Sequence, residues 1–336
     1  MTTATTLPRR TGDTAAPIID VKGLTVAFRT ARATVRAVNG VDLALRRGEV
    51  LALLGESGSG KSVTLRALIR LNPERTTTVG GTINIAGIDV STLQREALQD
   101  FRGGVASMIF QDPGLALDPV YRVGDQITET VMRHKAVPRA EGRKRALELF
   151  ERVRIPSPER RLEAYPHELS GGMRQRAMIA LALSCDPEVL LADEPTTALD
   201  ATVQIQILLL LRELQRDLGL TVIFVTHDIG VAVEVADRIA VMYAGRIVET
   251  GSVEDVITRP RHPYTRGLLA TRAQGGRLEG KRLVTIPGSP PDLANLPDGC
   301  SFAPRCPEAE PRCQSSAPAE AAVSTSHMAR CFHAVG

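Results

Sequence analysis

Gly55–Ser62 reads GESGSGKS, that is, a glycine, four residues, then Gly-Lys-Ser. It follows the apolar run Val50–Leu54 and opens a helix-like stretch from Lys61 to Leu71. This is the pattern of a phosphate-binding loop in its required strand–loop–helix setting. Glycines let the backbone curl until successive N–H groups point at one phosphate, and the helix N-terminus adds the positive end of its dipole. The loop residues Gly55, Glu56, Ser57, Gly58, Ser59 and Gly60 are the expected nucleotide cradle. Lys61 supplies a point charge to the β- and γ-phosphates, and the Ser62 hydroxyl can join the Mg2+ shell. A second pattern is VLLADE, Val189–Glu194, an apolar strand delivering two carboxylates at its end. Alone, such a pair more often starts a loop or caps a helix. Beside a phosphate-binding loop, Asp193 becomes the natural partner of Mg2+ and Glu194 a base for the attacking water. Such loops serve many enzymes, so nucleotide binding does not by itself name a function.

Four cysteines crowd the C-terminus: Cys300, Cys306, Cys313 and Cys331, with gaps of five, six and seventeen residues. In a reducing compartment a disulfide staple is disfavoured, which leaves chance or metal binding. Thiolates are the soft donors that both zinc and iron–sulfur clusters prefer. The spacing is not that of a ferredoxin and lacks the paired C-x-x-C of most zinc sites, so it leaves zinc and a cluster both open. Cys185, just before the acidic strand, reads as an ordinary buried thiol.

The elements that must position these groups alternate. Residues 18–54 hold short β-rich runs, Gly80–Val90 reads as a hairpin, and Val105–Gln111 as a further buried strand. From Asp112 to about residue 185 the character is helical, a candidate subdomain inserted into a mixed sheet. Then follow a strand at Glu188–Ala192, a helix at Ala201–Leu218, a strand at Thr221–Thr226, a helix at Ile229–Ala236 and a strand at Arg238–Tyr243. Such alternation argues an α/β fold with a largely parallel sheet covered on both faces. From about Arg259 onward Pro, Gly and Cys are frequent and periodicity fades, which reads as a separate appendage. The Thr/Ala/Pro-rich residues 1–17 read as a disordered lead-in without an apolar signal core.

With 336 residues, 43% of them hydrophobic, the chain can bury a large core. A net charge of +3 and scattered arginines give no nucleic-acid footprint. No run approaches the roughly 20 apolar residues of a membrane-spanning helix, so membrane contact is expected through partners.

In order along the chain stand the GESGSGKS loop, Gln111 after a strand, LSGGMRQ at Leu169–Gln175, VLLADE, Ala198-Leu199-Asp200, and His227 after TVIFVT. This set resembles that of ABC ATPases, over roughly residues 18–258: Walker A, Q-loop, signature, Walker B with its glutamate, D-loop and H-loop. The resemblance implies a P-loop ABC ATPase domain with an antiparallel β part and a helical subdomain at about 112–185, followed by a cysteine-containing extension at 259–336. It also implies that two such domains dimerise head to tail. Ser170, Gly171 and Gly172 would then address the γ-phosphate of ATP bound to the partner, and Asp200 would lie across the seam. Gln111 would sense the γ-phosphate and Mg2+, His227 would contact the γ-phosphate, and Phe28 is the candidate for stacking on adenine. Two departures stand out: Val63 where Thr is common, and Met173 for the common Gln of the signature.

FQDPGLALDP at Phe110–Pro119, RQRAMIA at Arg174–Ala180, HPYTRGLL at His262–Leu269 and the segment Ile286–Cys313 resemble the dipeptide/oligopeptide importer ATPases. That likeness implies an ATP-hydrolysing subunit on the cytoplasmic face of the membrane. Its partners would be a second, related ATPase in a heterodimer, two permease subunits and an extracytoplasmic substrate-binding protein. It also tips the four tail cysteines toward one 4Fe–4S cluster of structural role, with zinc as the alternative. A non-transport ABC ATPase acting on DNA or ribosomes is the second reading; it would usually carry a coiled-coil insert or two cassettes, and neither is present. An iron–sulfur redox enzyme would explain the tail and leave the ATPase set unexplained.

Overall fold

The computed structural model describes residues 16–196, 199–273 and 285–334. Most of the expected N-terminal lead-in (1–15) and Ala198 of the D-loop lie outside the described residues. Along the chain β1 (Ile19–Arg29), β2 (Thr34–Leu45) and β3 (Val50–Leu54) precede α1 (Lys61–Leu68). Next come β4 (Thr77–Ile85), β5 (Ile88–Asp89), α2 (Arg95–Gly104) and β6 (Ala106–Ile109). Four helices follow, α3 (Val123–Lys135), α4 (Arg139–Arg152), α5 (Pro158–Leu162) and α6 (Gly171–Ala182). The alternation resumes with β7 (Val189–Asp193), α7 (Ala201–Leu218), β8 (Thr221–Val225), α8 (Ile229–Val235), β9 (Arg238–Tyr243) and β10 (Arg246–Ser252). The C-terminal part adds α9 (Val253–Thr258), α10 (Pro263–Ala273), α11 (Pro311–Ser315), β11 (Ala321–Ala322) and β12 (Met328–Ala329).

The chain divides into two compact units, one containing Arg46–Gly48 and Asn84–Ile223, the other Ile19–Leu45, Glu49–Ile83 and the residues from Phe224 on. In the first, β6 and β7 pair in parallel, with Ala106 opposite Val189 and Ile109 opposite Ala192. All five residues of β7 are buried, as a strand covered on both faces requires. The α3–α6 segment is cross-linked by charge: Glu163 takes both Arg122 and Arg143, and Asp186 takes both Lys135 and Arg145. The Asp200 side chain accepts from the Val203 N–H at 3.0 Å and so caps α7, which ends on Gly219 in the left-handed region.

In the second unit β1 and β2 form a long antiparallel pair, from Ile19 opposite Leu45 to Arg29 opposite Thr34. The fully buried β3 runs parallel to β9, and β9 turns back antiparallel to β10, so the sheet is mixed. Residues beyond 259 do not form the separate appendage that their composition implies. Met328 and Ala329 of β12 extend the sheet beside Thr250 and Glu249 of β10. Tyr264 and Phe302 enter the same buried cluster as Tyr243, with ring centroids 4.6–5.4 Å apart. A few aromatic rings thus fasten a segment that has little periodicity of its own, since each buries a large apolar surface.

Candidate active site

The P-loop lies in the second unit. The buried β3 delivers the chain to Gly55, and α1 starts at Lys61 after Gly60, whose φ is 106°. A Cβ at Gly60 would stand 2.3 Å from the Ala37 carbonyl oxygen, so both space and backbone demand glycine there. Lys61 is 5% exposed, and its ammonium donates to the carbonyl oxygens of Gly55 at 2.8 Å and Glu56 at 2.9 Å. The charge is thus held inside the loop where a phosphate would replace carbonyl partners. Ser62 and Val63 are half-buried on the first turn of α1.

His227 is exposed immediately after β8. The Thr226 N–H donates to the Leu53 carbonyl at 3.3 Å, so this end of β8 emerges beside the P-loop strand. Asp228 then caps α8 through the Gly230 N–H at 2.7 Å. Phe28 sits near the end of β1 opposite Val35, half-buried.

The acidic strand lies in the first unit. Asp193 ends β7 and is 1% exposed, and Glu194 follows with φ 45°, a region that non-glycine residues rarely adopt. Because Ile109 of β6 faces Ala192 of β7, both strands end at the same level. Gln111 and Glu194 each come two residues later. They meet there: Gln111 Nε2 donates to Glu194 Oε2 at 3.3 Å. A carboxylate held by an amide at the mouth of two parallel strands can orient a water molecule and take its proton.

Ser170 caps α6, its hydroxyl accepting from the Met173 N–H at 3.3 Å. Gly171 and Gly172 form the first turn, and Ser170 and Gly171 are exposed. A Cβ on Gly172 would come within 2.9 Å of Val203 in the first turn of α7, so a side chain there would displace its neighbour. The Asp200 cap and the signature turn are therefore neighbours, and the exposed Ser170 and Gly171 stand at the N-terminus of α6, the helix end that favours an anion.

Two side chains that no motif pointed to hold the P-loop. The Tyr264 hydroxyl accepts from the Glu56 N–H at 2.8 Å, and burial pushes the Tyr264 pKa up, so it remains a neutral phenol. Arg305 grips the Glu56 carboxylate through two bonds, at 2.7 and 3.0 Å. Both lie in strings that were informative only as family likeness, HPYTRGLL and the segment before Cys306.

No disulfide joins the tail cysteines Cys300, Cys306, Cys313 and Cys331, and the Cys300 N–H donates to the Cys313 carbonyl at 2.8 Å. Burial, joined by these neighbours, pushes the thiols of Cys300, Cys306 and Cys331 up. Among the described residues, however, no group of three or more His, Cys, Asp or Glu side chains is arranged to hold a metal ion. The expected four-thiolate site is therefore not preformed, and a zinc tetrahedron is absent among those residues. Cys185 is buried, and burial pushes its thiol up as well, in keeping with an inert packing role. No described helix is long and apolar enough to cross a membrane.

Residues 38–197 match the family described as ABC transporter, and residues 248–313 that described as oligopeptide/dipeptide transporter, C-terminal region. The chain is 49% identical over 294 residues to the oligopeptide transport ATP-binding protein OppD of Bacillus subtilis, covering 86% of this chain and 81% of that protein. It is 46% identical over 316 residues to the dipeptide transport ATP-binding protein DppD of the same organism, with 94% of each chain covered. Among solved structures, a dimeric post-hydrolysis state of the ATP-binding cassette MJ0796 bound to ADP and Pi matches with a TM-score of 0.63 and 31% identity. That match covers 70% of this chain and 98% of the cassette. The chain therefore belongs to the ATP-binding, ATP-hydrolysing subunits of ABC transporters, in the group that carries the oligopeptide/dipeptide C-terminal region.

Proposed function

We propose that this subunit powers the import of dipeptides or oligopeptides, paired head to tail with a second, related ATPase beneath two permease subunits. An extracytoplasmic binding protein would deliver the peptide, and the chain would sit on the cytoplasmic face of the membrane. The observation that carries the reading is the likeness to peptide transport ATPases over the cassette and the C-terminal region together. Nothing observed favours the DNA- or ribosome-directed alternative.

In this reading Gly55–Ser62 cradle the triphosphate, with Lys61 leaving its carbonyl partners for the β- and γ-phosphates. Ser62, Gln111 and Asp193 are the oxygen donors suited to Mg2+, a hard cation that would neutralise phosphate charge. Phe28 stacks on adenine. Glu194, oriented by Gln111, accepts the proton of the attacking water, and His227 contacts the γ-phosphate. Ser170, Gly171 and Gly172 close on the nucleotide of the partner ATPase, with Asp200 at the seam. Closure of the dimer would pull on a permease helix seated beside Gln111 and the α3–α6 segment, and hydrolysis would reset it.

A 4Fe–4S cluster on Cys300, Cys306, Cys313 and Cys331 is the finer part of the proposal. What supports it is that the four cysteines match the ligand count of such a cluster and supply the soft thiolates that it prefers. The cluster would supply a cross-link and no chemistry to hydrolysis.

The test is assembly. Steady-state hydrolysis by the isolated chain should be low and should rise at least tenfold when the partner ATPase and permeases are added. Undiminished turnover in a demonstrably monomeric preparation would refute the shared-site mechanism.

A further inference from the structure

We infer that Arg305 is a positioning residue for the nucleotide: it neutralises and immobilises Glu56, and so makes the C-terminal extension part of the phosphate-binding apparatus. The inference rests on the P-loop reading above. Glu56 is the second residue of the loop, and each of its polar groups is engaged. Its N–H donates to the Tyr264 hydroxyl at 2.8 Å, and its carbonyl accepts from Lys61 Nζ at 2.9 Å. Its carboxylate takes Arg305 Nη1 at 2.7 Å and Nη2 at 3.0 Å. Two of these three partners come from beyond residue 259, where no nucleotide motif lies.

Arg305 has little freedom. Its side chain is 4% exposed. Nε donates to the Pro287 carbonyl at 2.8 Å, and Nη2 reaches the Ile286 carbonyl at 3.3 Å. Nη1 also reaches the Tyr243 hydroxyl at 3.3 Å, and the guanidinium lies over the rings of Tyr243 and Phe302. A planar fork fixed on this many acceptors presents one geometry to the carboxylate, which lysine could not reproduce.

The chemistry gives the pair a purpose beyond fastening the tail. A phosphate-binding loop works by turning N–H groups and one ammonium toward an anion. A carboxylate in the same loop opposes that unless its charge is cancelled. The Glu56 side chain is 28% exposed, so water alone would screen it poorly. Removing Arg305 would leave a largely buried, unpaired carboxylate within the phosphate-binding loop, a costly arrangement in itself and a repulsive one for ATP.

A merely structural clasp and a charge-cancelling one differ in a double substitution. The full-length chain is titrated with ATP–Mg2+, ADP–Mg2+ and adenosine, with thermal unfolding followed in parallel. Arg305→Ala should raise the Kd for ATP about tenfold, equivalent to about 1.4 kcal/mol. The effect should shrink for ADP and vanish for adenosine, which carries no phosphate. Adding Glu56→Gln to Arg305→Ala should recover at least half of the lost ATP affinity on a logarithmic scale. If Arg305→Ala binds ATP as the unsubstituted chain does, or if the double variant binds no better than Arg305→Ala, the inference is overturned. Should Arg305→Ala not fold, Arg305→Gln with and without Glu56→Gln makes the same comparison, and equal affinities overturn it. Lys61→Ala separates the two claims: if it too leaves ATP binding intact, the P-loop reading itself has failed.

Discussion

Acid should destabilise the unit that holds the P-loop, and His262 sets the size of the effect. This ring is 1% exposed and packs 5.7 Å from Phe302. Its Nδ1 accepts the Tyr264 N–H at 3.1 Å, which fixes the start of α10, and the His262 backbone N–H donates to Glu249 Oε2 at 2.9 Å. An Nδ1 that accepts is unprotonated, so the ring is neutral here. Burial, with the Arg266 charge adding to it, holds the pKa down from 6.5 to about 3. The unfolded chain therefore takes up a proton below pH 6.5 that the folded chain refuses until about pH 3. The stability is present above the unfolded pKa and is lost as pH falls through this window. Well below pH 6.5 each pH unit is equivalent to about 1.36 kcal/mol, and because the unfolded ring is only half protonated at pH 6.5 the loss between pH 6.5 and 4.5 is about 2 kcal/mol. His262→Asn keeps a capping oxygen for the Tyr264 N–H but does not titrate. Urea unfolding, followed by the tyrosine near-UV signal, would be compared for both proteins at several pH values. The variant starts lower because packing is lost, and its stability should fall less steeply by about 1.4 kcal/mol per pH unit. Parallel curves between pH 6.5 and 4.5 would refute the reasoning, whatever their offset.

Two further outcomes follow from the site. Glu194→Gln should keep ATP affinity within a few-fold and lower turnover in the assembled transporter by about a hundredfold or more, the scale of a lost general base; near-normal turnover would remove Glu194 from that role. Anaerobically purified protein should be brown with about four irons per chain, and serine at any of Cys300, Cys306, Cys313 or Cys331 should bleach it while Cys185→Ser should not. Colourless protein with stoichiometric zinc would replace the cluster by the rival ion.

The chemistry was legible because it is local. Loop, signature and acidic strand each carry their atoms within a few consecutive residues, and backbone geometry follows from glycine, cap and buried strand. The meeting of Gln111 with Glu194 was only half legible: each stands just after a strand, but nothing in the sequence paired β6 with β7 so that their ends coincide. The attachment of the tail was not legible. It depends on a two-residue strand at Met328–Ala329, on Tyr264 and Phe302 in a shared aromatic cluster, and on one arginine among 41 basic residues. Composition after Arg259, rich in Pro, Gly and Cys, says nothing of the core that these residues join. A pair 249 positions apart in sequence, Arg305 with Glu56, leaves no periodic or spacing signal at all.

The central claim is that hydrolysis at this subunit drives peptide across a membrane. It is tested most directly by peptide uptake into proteoliposomes containing permeases, both ATPases and the binding protein, with ATP on the side of this chain. The account predicts accumulation of labelled dipeptide or oligopeptide that requires ATP and is abolished by Glu194→Gln. A transporter that hydrolyses ATP without moving any peptide from a broad library, or that moves peptide equally well with Glu194→Gln, would contradict it.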